Sequence, residues 1–199
     1  MKNIEDSLKF VQKFLPVVKS QTVKKIDDIN LKFPLVLKII SSKFTHKTEV
    51  NGVRIVSNQE ELEKEFKDLK KIKGTKSFLV QEFVKGTELI IGLKKDNSFG
   101  HALMFGIGGV MVELLKDVSF RICPINKNDA QEMIDELKAK DLLKGFRGSK
   151  EVNLNLLKNI LVKVSEIPLK NSNIKELDIN PLIINDKKAF VVDARLELV

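Results

Sequence analysis

Short stretches of this chain carry residues that could do chemistry. Lys38 interrupts the apolar run Pro34-Leu35-Val36-Leu37-Lys38-Ile39-Ile40. A lysine inside a buried strand is costly unless its charge is paired, and an anionic phosphate would pair it. A lysine near a strand end that reaches out to water fits the same run equally well. The segment Leu79-Val80-Gln81-Glu82-Phe83-Val84 ends an apolar strand in polar residues and turns at Gly86, with Glu88 opening the next strand. Such a hinge could offer free backbone N–H and C=O groups to an adenine edge, and Glu88 could take ribose hydroxyls. An ordinary hairpin with exposed acids is the commoner use of the pattern. Phe105-Gly106-Ile107-Gly108-Gly109 gathers three of the ten glycines. Glycine permits close backbone approach to a ligand, and it equally makes turns.

The closing hairpin is the most informative. A two-residue turn at Asp186-Lys187 sets Asn180 opposite Asp193 and Asp178 opposite Arg195. Side chains alternate along a strand and opposed residues share a face, so these polar residues cluster on one side. Leu177, Ile179, Val192 and Ala194 fall on the other. Oxygen donors from an amide and a carboxylate suit Mg²⁺, which usually keeps waters and phosphate oxygens as well. The competing use is a salt bridge from Asp178 to Arg195 on a solvated face. A slip of one residue would break the cluster.

Other nucleotide and metal motifs are absent. Lys73-Gly74-Thr75 and Lys85-Gly86-Thr87 lack the glycine spacing of a Walker A loop. The run from Gly106 fails the dinucleotide fingerprint, because its third glycine would fall at Met111. His46 and His101 are the two histidines, too few for a histidine-rich metal site, and Cys123 is the single cysteine.

The elements that must position these residues can be read from periodicity. Ile4, Leu8, Val11 and Leu15 have helical spacing. Val17-Val18 opens a short strand, Pro34 to Ile40 is a buried strand, 41–52 is a polar loop, and Val53 to Val56 is a strand. Asn58 caps a helix through Leu62, Phe66, Leu69 and Ile72. Strands follow at Ser77–Phe83, Glu88–Lys95, His101–Phe105 and Val118–Ile122. Asn126 and Asn153 cap two further helices, and strands Ile174–Ile184 and Ala189–Leu198 close the chain. This mixture predicts an α+β architecture with antiparallel sheet in two lobes.

Composition narrows the class. A chain of 199 residues with 43% hydrophobic and 31% charged residues is that of an ordinary globular protein. No apolar run is long enough to cross a bilayer. The first residues, Met1 to Asp6, are too polar and acidic for a signal peptide, so the expected compartment is the cytoplasm. The net charge of +8 comes from lysines interleaved with acids, as between Glu60 and Lys73, not from a basic stripe. With no Trp and no Tyr to stack on bases, nucleic acid is not the expected partner.

Taken in order, these stretches, with Ser41 to His46-Lys47, Glu113 to Arg121, Glu176 to Leu182 and Val192-Asp193-Ala194-Arg195, resemble a known family. It is that of the ATP-grasp (beta) subunits of ADP-forming acetyl-CoA synthetases, relatives of succinyl-CoA synthetase. The resemblance spans essentially the whole chain as one domain, residues 1–199, with lobes of about 1–83 and 84–199. It implies an ATP-grasp fold whose two α+β lobes grip ATP or ADP with Mg²⁺, the C-terminal lobe holding antiparallel sheet. It implies the reversible reaction of acyl-CoA, ADP and phosphate to acid, CoA and ATP. It also implies a CoA-binding alpha-type partner, two copies of each subunit assembling.

Carried over by position, Lys38 contacts nucleotide phosphates and Gln81, Glu82, Phe83 and Val84 form the adenine hinge. Glu88 holds the ribose and Arg121 faces the phosphates. Asn180 and Asp193 bind Mg²⁺. His46 is transiently phosphorylated, and Asp178 steadies that phosphohistidine. The chain departs from the family at Ser42, usually Pro, at Glu49, usually Asp, and at Asn51-Gly52, usually Gly-Gly. Asn tolerates left-handed backbone angles, so Asn51 is compatible with the loop. A non-catalytic ATP-grasp module and a succinate-type ligase subunit are the alternatives. The His46 loop sets the chain apart from the succinate enzymes.

Overall fold

The computed structural model describes residues 2–41, 51–109, 117–145 and 150–199, and among them asparagines start the α-helices. In α1 (Ile4–Val11) the Asn3 side chain accepts from Asp6 N–H, and in α2 (Gln59–Lys70) Asn58 accepts from Glu61 N–H. In α3 (Lys127–Glu136) Asn126 and Asp129 form a reciprocal capping box, and in α4 (Leu154–Lys170) Asn153 accepts from Leu156 N–H. Each cap satisfies a helix N–H that has no partner within the helix, worth about 1 kcal/mol.

The chain divides into two compact units. One is residues 18–84. Strands β1 (Ser20–Val23), β2 (Leu35–Ser41), β3 (Val53–Val56) and β4 (Thr75–Glu82) make an antiparallel sheet in the order β1-β4-β2-β3. Leu35, Leu37 and Ile39 leave one face of β2, and Val56, Phe78 and Val80 join them. Helix α2 covers that face with Leu62, Phe66 and Leu69, and the Phe66 and Phe78 rings lie 4.2 Å apart. Burying each of these side chains contributes roughly 1.5–3 kcal/mol. Asn51 has φ 51°, a left-handed angle that asparagine tolerates.

The other unit is residues 1–17 with 85–199. Its sheet is antiparallel, built from β5 (Thr87–Asp96), β6 (Gly100–Ile107), β7 (Val118–Ile122), β8 (Ile174–Ile184), β9 (Ala189–Val191) and β10 (Ala194–Leu198). The order is β10-β8-β5-β6-β7, with β9 also on β8. Helix α4 packs on β5 and β6, and α3 on β7 and α4, burying Leu89, Ile91, Leu93, Leu103, Phe105 and Leu177.

The structure redraws some expected boundaries. Residues 1–17 pack with the C-terminal unit instead of a first lobe beginning at residue 1, because α1 buries Leu8 and Val11 beside β10. Lys2 N–H donates to Leu196 O (2.8 Å) and Leu196 N–H to Ser7 Oγ (3.2 Å), which closes an open sheet edge. Val17 makes a single bridge to Val191, and the strand begins only at Ser20. The expected last strand is two, β9 and β10, parted at Val192-Asp193.

Candidate functional site

Within residues 18–84, Lys38 is the fourth residue of β2, a strand flanked by β4 and β3. It pairs with Leu79 and Val53, on the face turned away from Leu37 and Ile39, and is only 7% exposed. That position removes the strand-end reading, and burial there demands a compensated charge. Gln81, fully buried, leaves β4 on the same face, opposite Val36.

The hinge is partly used by the fold. Glu82 N–H donates to Lys19 O (3.0 Å) and Phe83 N–H to Pro34 O (2.9 Å). Those two donors are therefore not open to an adenine edge, contrary to the sequence expectation. The cause is that β1 and the residue before β2 run beside the end of β4. Among the described residues no backbone bond engages Val84 N–H or its carbonyl. The Glu82 carboxylate stands 3.8 Å from Lys19 Nζ.

Within the other unit, β10 pairs with β8 in the expected register: Arg195 faces Asp178, Ala194 faces Ile179, and Asn180 N–H donates to Asp193 O (3.1 Å). On its other side β8 carries a bulge. Leu89 pairs with Leu182 and Ile91 with Ile179, so Asn180 and Pro181 together oppose Ile90. Bulges re-aim side chains beside functional sites. Asp178 pairs with Gly92, Gly92 with Met104 and Met104 with Phe120, which defines the face opposite the helices. Asp178 lines a pocket of about 250 Å³ there with Gly92, Lys94, Met104, Phe120 and Glu176. Burial raises its pKa above the ordinary carboxylate value. Arg195 opposes the shift, and Glu176 and Asp193 add to it.

The chemistry of the donors fits a hard cation. Asn180 and Asp193 offer an amide and a carboxylate oxygen from residues joined by a main-chain bond one step past the end of the β8–β10 ladder. Nucleotide phosphates and waters would complete such a shell. Among the described residues no three His, Cys, Asp or Glu group together, so no all-protein metal cage is present there.

Arg121 is engaged by the fold. It pairs with Leu103, which shares the helix-covered face with Leu93 and Leu177, whereas Phe120 shares the face of Asp178. Its guanidinium is gripped by α3, with Nη2 2.5 Å from Glu136 and 3.2 Å from Glu132. Ser119 Oγ also donates to Glu136. Hydrogen bonds from Arg121 and then Ser119 hold the Glu136 carboxyl down at about 2. Arg121 ties β7 to α3.

Glu88 is exposed at the start of β5, and the glycine-rich turn lies against it: Gly108 N–H donates to Glu88 O at 2.7 Å. Reading the residues alone missed this link. Continuing the β5–β6 pairing one step past Leu89 and Ile107 would have found it. His46 lies outside the described residues. No helix among the described residues is long and apolar enough to cross a membrane.

Residues 11–198 match the ATP-grasp domain family. The chain is 42% identical over 177 residues to the beta subunit of acetate–CoA ligase [ADP-forming] I of Pyrococcus furiosus, covering 83% of this chain and 75% of that one. It is 41% identical to the acetate–CoA ligase [ADP-forming] I of Archaeoglobus fulgidus, over 83% of this chain but only 25% of that longer protein. Its structure is similar to the dinucleotide forming acetyl-coenzyme A synthetase 1 of Ca. Korarchaeum cryptofilum, with TM-score 0.85, 40% identity, and 99% of this chain and 92% of that one covered. That structure contains coenzyme A and Mg-AMPPCP, its phosphohistidine segment pointing towards the nucleotide binding site. The chain belongs to the ATP-grasp family, among the beta subunits of ADP-forming acetate–CoA ligases.

Proposed function

We propose that this chain, one ATP-grasp domain over residues 1–199, is the nucleotide-binding subunit of an ADP-forming acyl-CoA synthetase of the cytoplasm. It works with a CoA-binding alpha subunit, two of each, to convert acyl-CoA, ADP and phosphate to acid, CoA and ATP. The observation that carries the reading is the main-chain bond from Asn180 N–H to Asp193 O, one step past the Ala194–Ile179 end of the β8–β10 ladder in which Asp178 faces Arg195. An amide, a carboxylate and an acid of raised pKa are the groups needed beside a metal-bound polyphosphate and a charged imidazole. Mg²⁺ held by Asn180 and Asp193 would neutralise phosphate charge.

In residues 18–84, Lys38 pairs with nucleotide phosphates and Val84 supplies the N–H for the adenine edge, beside Gln81, Glu82 and Phe83. In the other unit, Glu88 accepts from the ribose hydroxyls. Transfer to ADP breaks the N–P bond of phosphorylated His46 and forms the O–P bond of ATP. Asp178 holds the departing imidazole by a hydrogen bond during that exchange. The Korarchaeum structure supports a phosphohistidine route in the family.

The test is reconstitution. The chain mixed with a CoA-binding alpha subunit should form ATP from acetyl-CoA, ADP and phosphate, and neither subunit alone should do so. Turnover by the isolated chain, or none by an assembled complex with any acyl-CoA, would rule the assignment out.

A further inference from the structure

Gly92 sits in the middle of β5, directly opposite Asp178 of β8 on one side and Met104 of β6 on the other. Glycine weakens a strand interior, and there it often marks a close approach of backbone or ligand. Elsewhere in this unit the approach is by backbone. A Cβ would fall 2.4 Å from Ile184 O at Gly86 and 2.8 Å from Asp117 O at Gly106. Gly92 has no such neighbour. Its φ lies outside the left-handed region, and among the described residues a Cβ would meet within 4 Å only Met104, with Cε at 3.2 Å and Cβ at 3.6 Å. Methionine is flexible, and Met104 borders open space, so its methyl can give way. The fold therefore has room for a side chain at position 92. What that side chain would fill is the pocket of about 250 Å³ that Gly92 lines with Asp178, Met104 and Phe120. Directly opposed residues in a sheet carry their Cβ atoms on one face, roughly 4.5–5.5 Å apart, so the missing side chain leaves a gap beside Asp178.

We propose that Gly92 is a specificity-determining residue of the Asp178 site, keeping the pocket open so that a phosphorylated imidazole can reach the carboxyl. The inference rests on the reading of Asp178 as the partner of that imidazole. When ATP phosphorylates the ring, the terminal O–P bond breaks and an N–P bond forms. ADP leaves with the electron pair of the broken bond. The other ring nitrogen keeps its proton, and the Asp178 carboxylate accepts the hydrogen bond from it. A methyl or isopropyl group at position 92 would stand beside the carboxyl and hold the ring off it. A misplacement of about 1 Å at a reacting group can cost about 100-fold in rate. ADP brings no group to Asp178 in this reading, so its binding does not need the gap.

The experiment reads three quantities on the full chain: the rate of labelling by γ-labelled Mg-ATP, the calorimetric Kd for Mg-ADP, and the melting temperature. Gly92→Ala should slow labelling by roughly 10-fold and Gly92→Val by roughly 100-fold, with the Mg-ADP Kd within about 2-fold of wild type in both. Gly92→Ala should also melt about 1–4 °C higher than wild type, because the strand loses a glycine that its backbone does not require. A glycine kept for the backbone would give the reverse, a lower melting temperature with labelling and Mg-ADP binding falling together, and that result overturns the inference. If Gly92→Val shows no melting transition, Gly92→Ala decides. A wild-type labelling rate in the folded glycine variants, with Asp178→Asn slowed, also overturns it. A wild-type rate in Asp178→Asn, or no label on the wild type, overturns instead the reading of Asp178 on which it stands.

Discussion

Asn180 and Asp193 are joined by a 3.1 Å hydrogen bond from the Asn180 N–H to the Asp193 carbonyl, one step past the end of the β8–β10 ladder. Both atoms of that bond are main chain, so it does not depend on either side chain.

Asp193→Ala should accordingly fold with a melting temperature close to wild type while losing Mg²⁺-dependent nucleotide binding. Loss of one charged ligand should weaken Mg-ADP binding by roughly 10- to 100-fold, the range expected for a charge-assisted contact. Calorimetry with and without Mg²⁺ measures this directly. An unchanged Mg²⁺ dependence would remove Asp193 from the metal site.

Lys38 gives a second outcome. Mg-ATP should raise the melting temperature of the wild type, because it binds the folded state. In Lys38→Ala that rise should largely vanish, with Kd weakened about 10- to 100-fold. Equal affinity in the two proteins would leave Lys38 a structural residue only.

Asp178 should set function against stability. Burial raises its folded pKa above the ordinary 3.8, so ionised Asp178 costs stability at neutral pH. Asp178→Asn removes that cost. It should melt higher at pH 7, by roughly 2–4 °C per kcal/mol recovered in a chain of this size. The gain should disappear below the ordinary value of 3.8, where the carboxyl is protonated in folded and unfolded chains alike. The same variant should lose most activity in the reconstituted reaction. A lower melting point at pH 7 would contradict the burial argument.

The Arg121–Glu136 pair has the opposite sign. The folded Glu136 carboxyl sits at about 2, against 4.5 ordinarily, so its contribution is present above 4.5 and fades as pH falls towards 2. Glu136→Gln should be less resistant to urea than wild type at pH 7, with the gap closing between those values. Arg121→Ala should destabilise similarly yet leave nucleotide Kd within about 2-fold, since the guanidinium faces α3. A large loss of affinity in Arg121→Ala would restore it to the phosphate site.

His46 is tested by labelling. With Mg²⁺ and γ-labelled ATP the chain should acquire an acid-labile, base-stable phosphoryl group, as expected for a phosphorylated imidazole. His46→Ala should lose the label and the reconstituted activity while still binding nucleotide. Full synthetase activity in that variant would end the relay.

Sequence by itself determined the local structure and one register. Side-chain oxygens at Asn58, Asn126 and Asn153 read as caps because capping involves residues only a few positions apart. The β8–β10 register was legible because the intervening turn is short. Asn185 Oδ1 accepts from Lys187 N–H and Lys188 N–H and so fixes where the chain reverses. The same turn sets Asp178 opposite Arg195, which is the pairing the ladder has.

Tertiary structure decided what depends on partners distant in sequence. Whether Lys38 is central or terminal in its strand depended on β4, far along the chain. The hinge donors were consumed by Lys19 O and Pro34 O, which no local pattern reveals. Short, polar β1 gave no periodic signal, and it exists because β4 offers it an edge. The pairing with Leu103 chose the face of Arg121, and Glu132 and Glu136 on α3 then claimed its charge. A lone arginine in a sequence has no face until the sheet gives it one, because strand parity is relative to a neighbour and not to the chain itself.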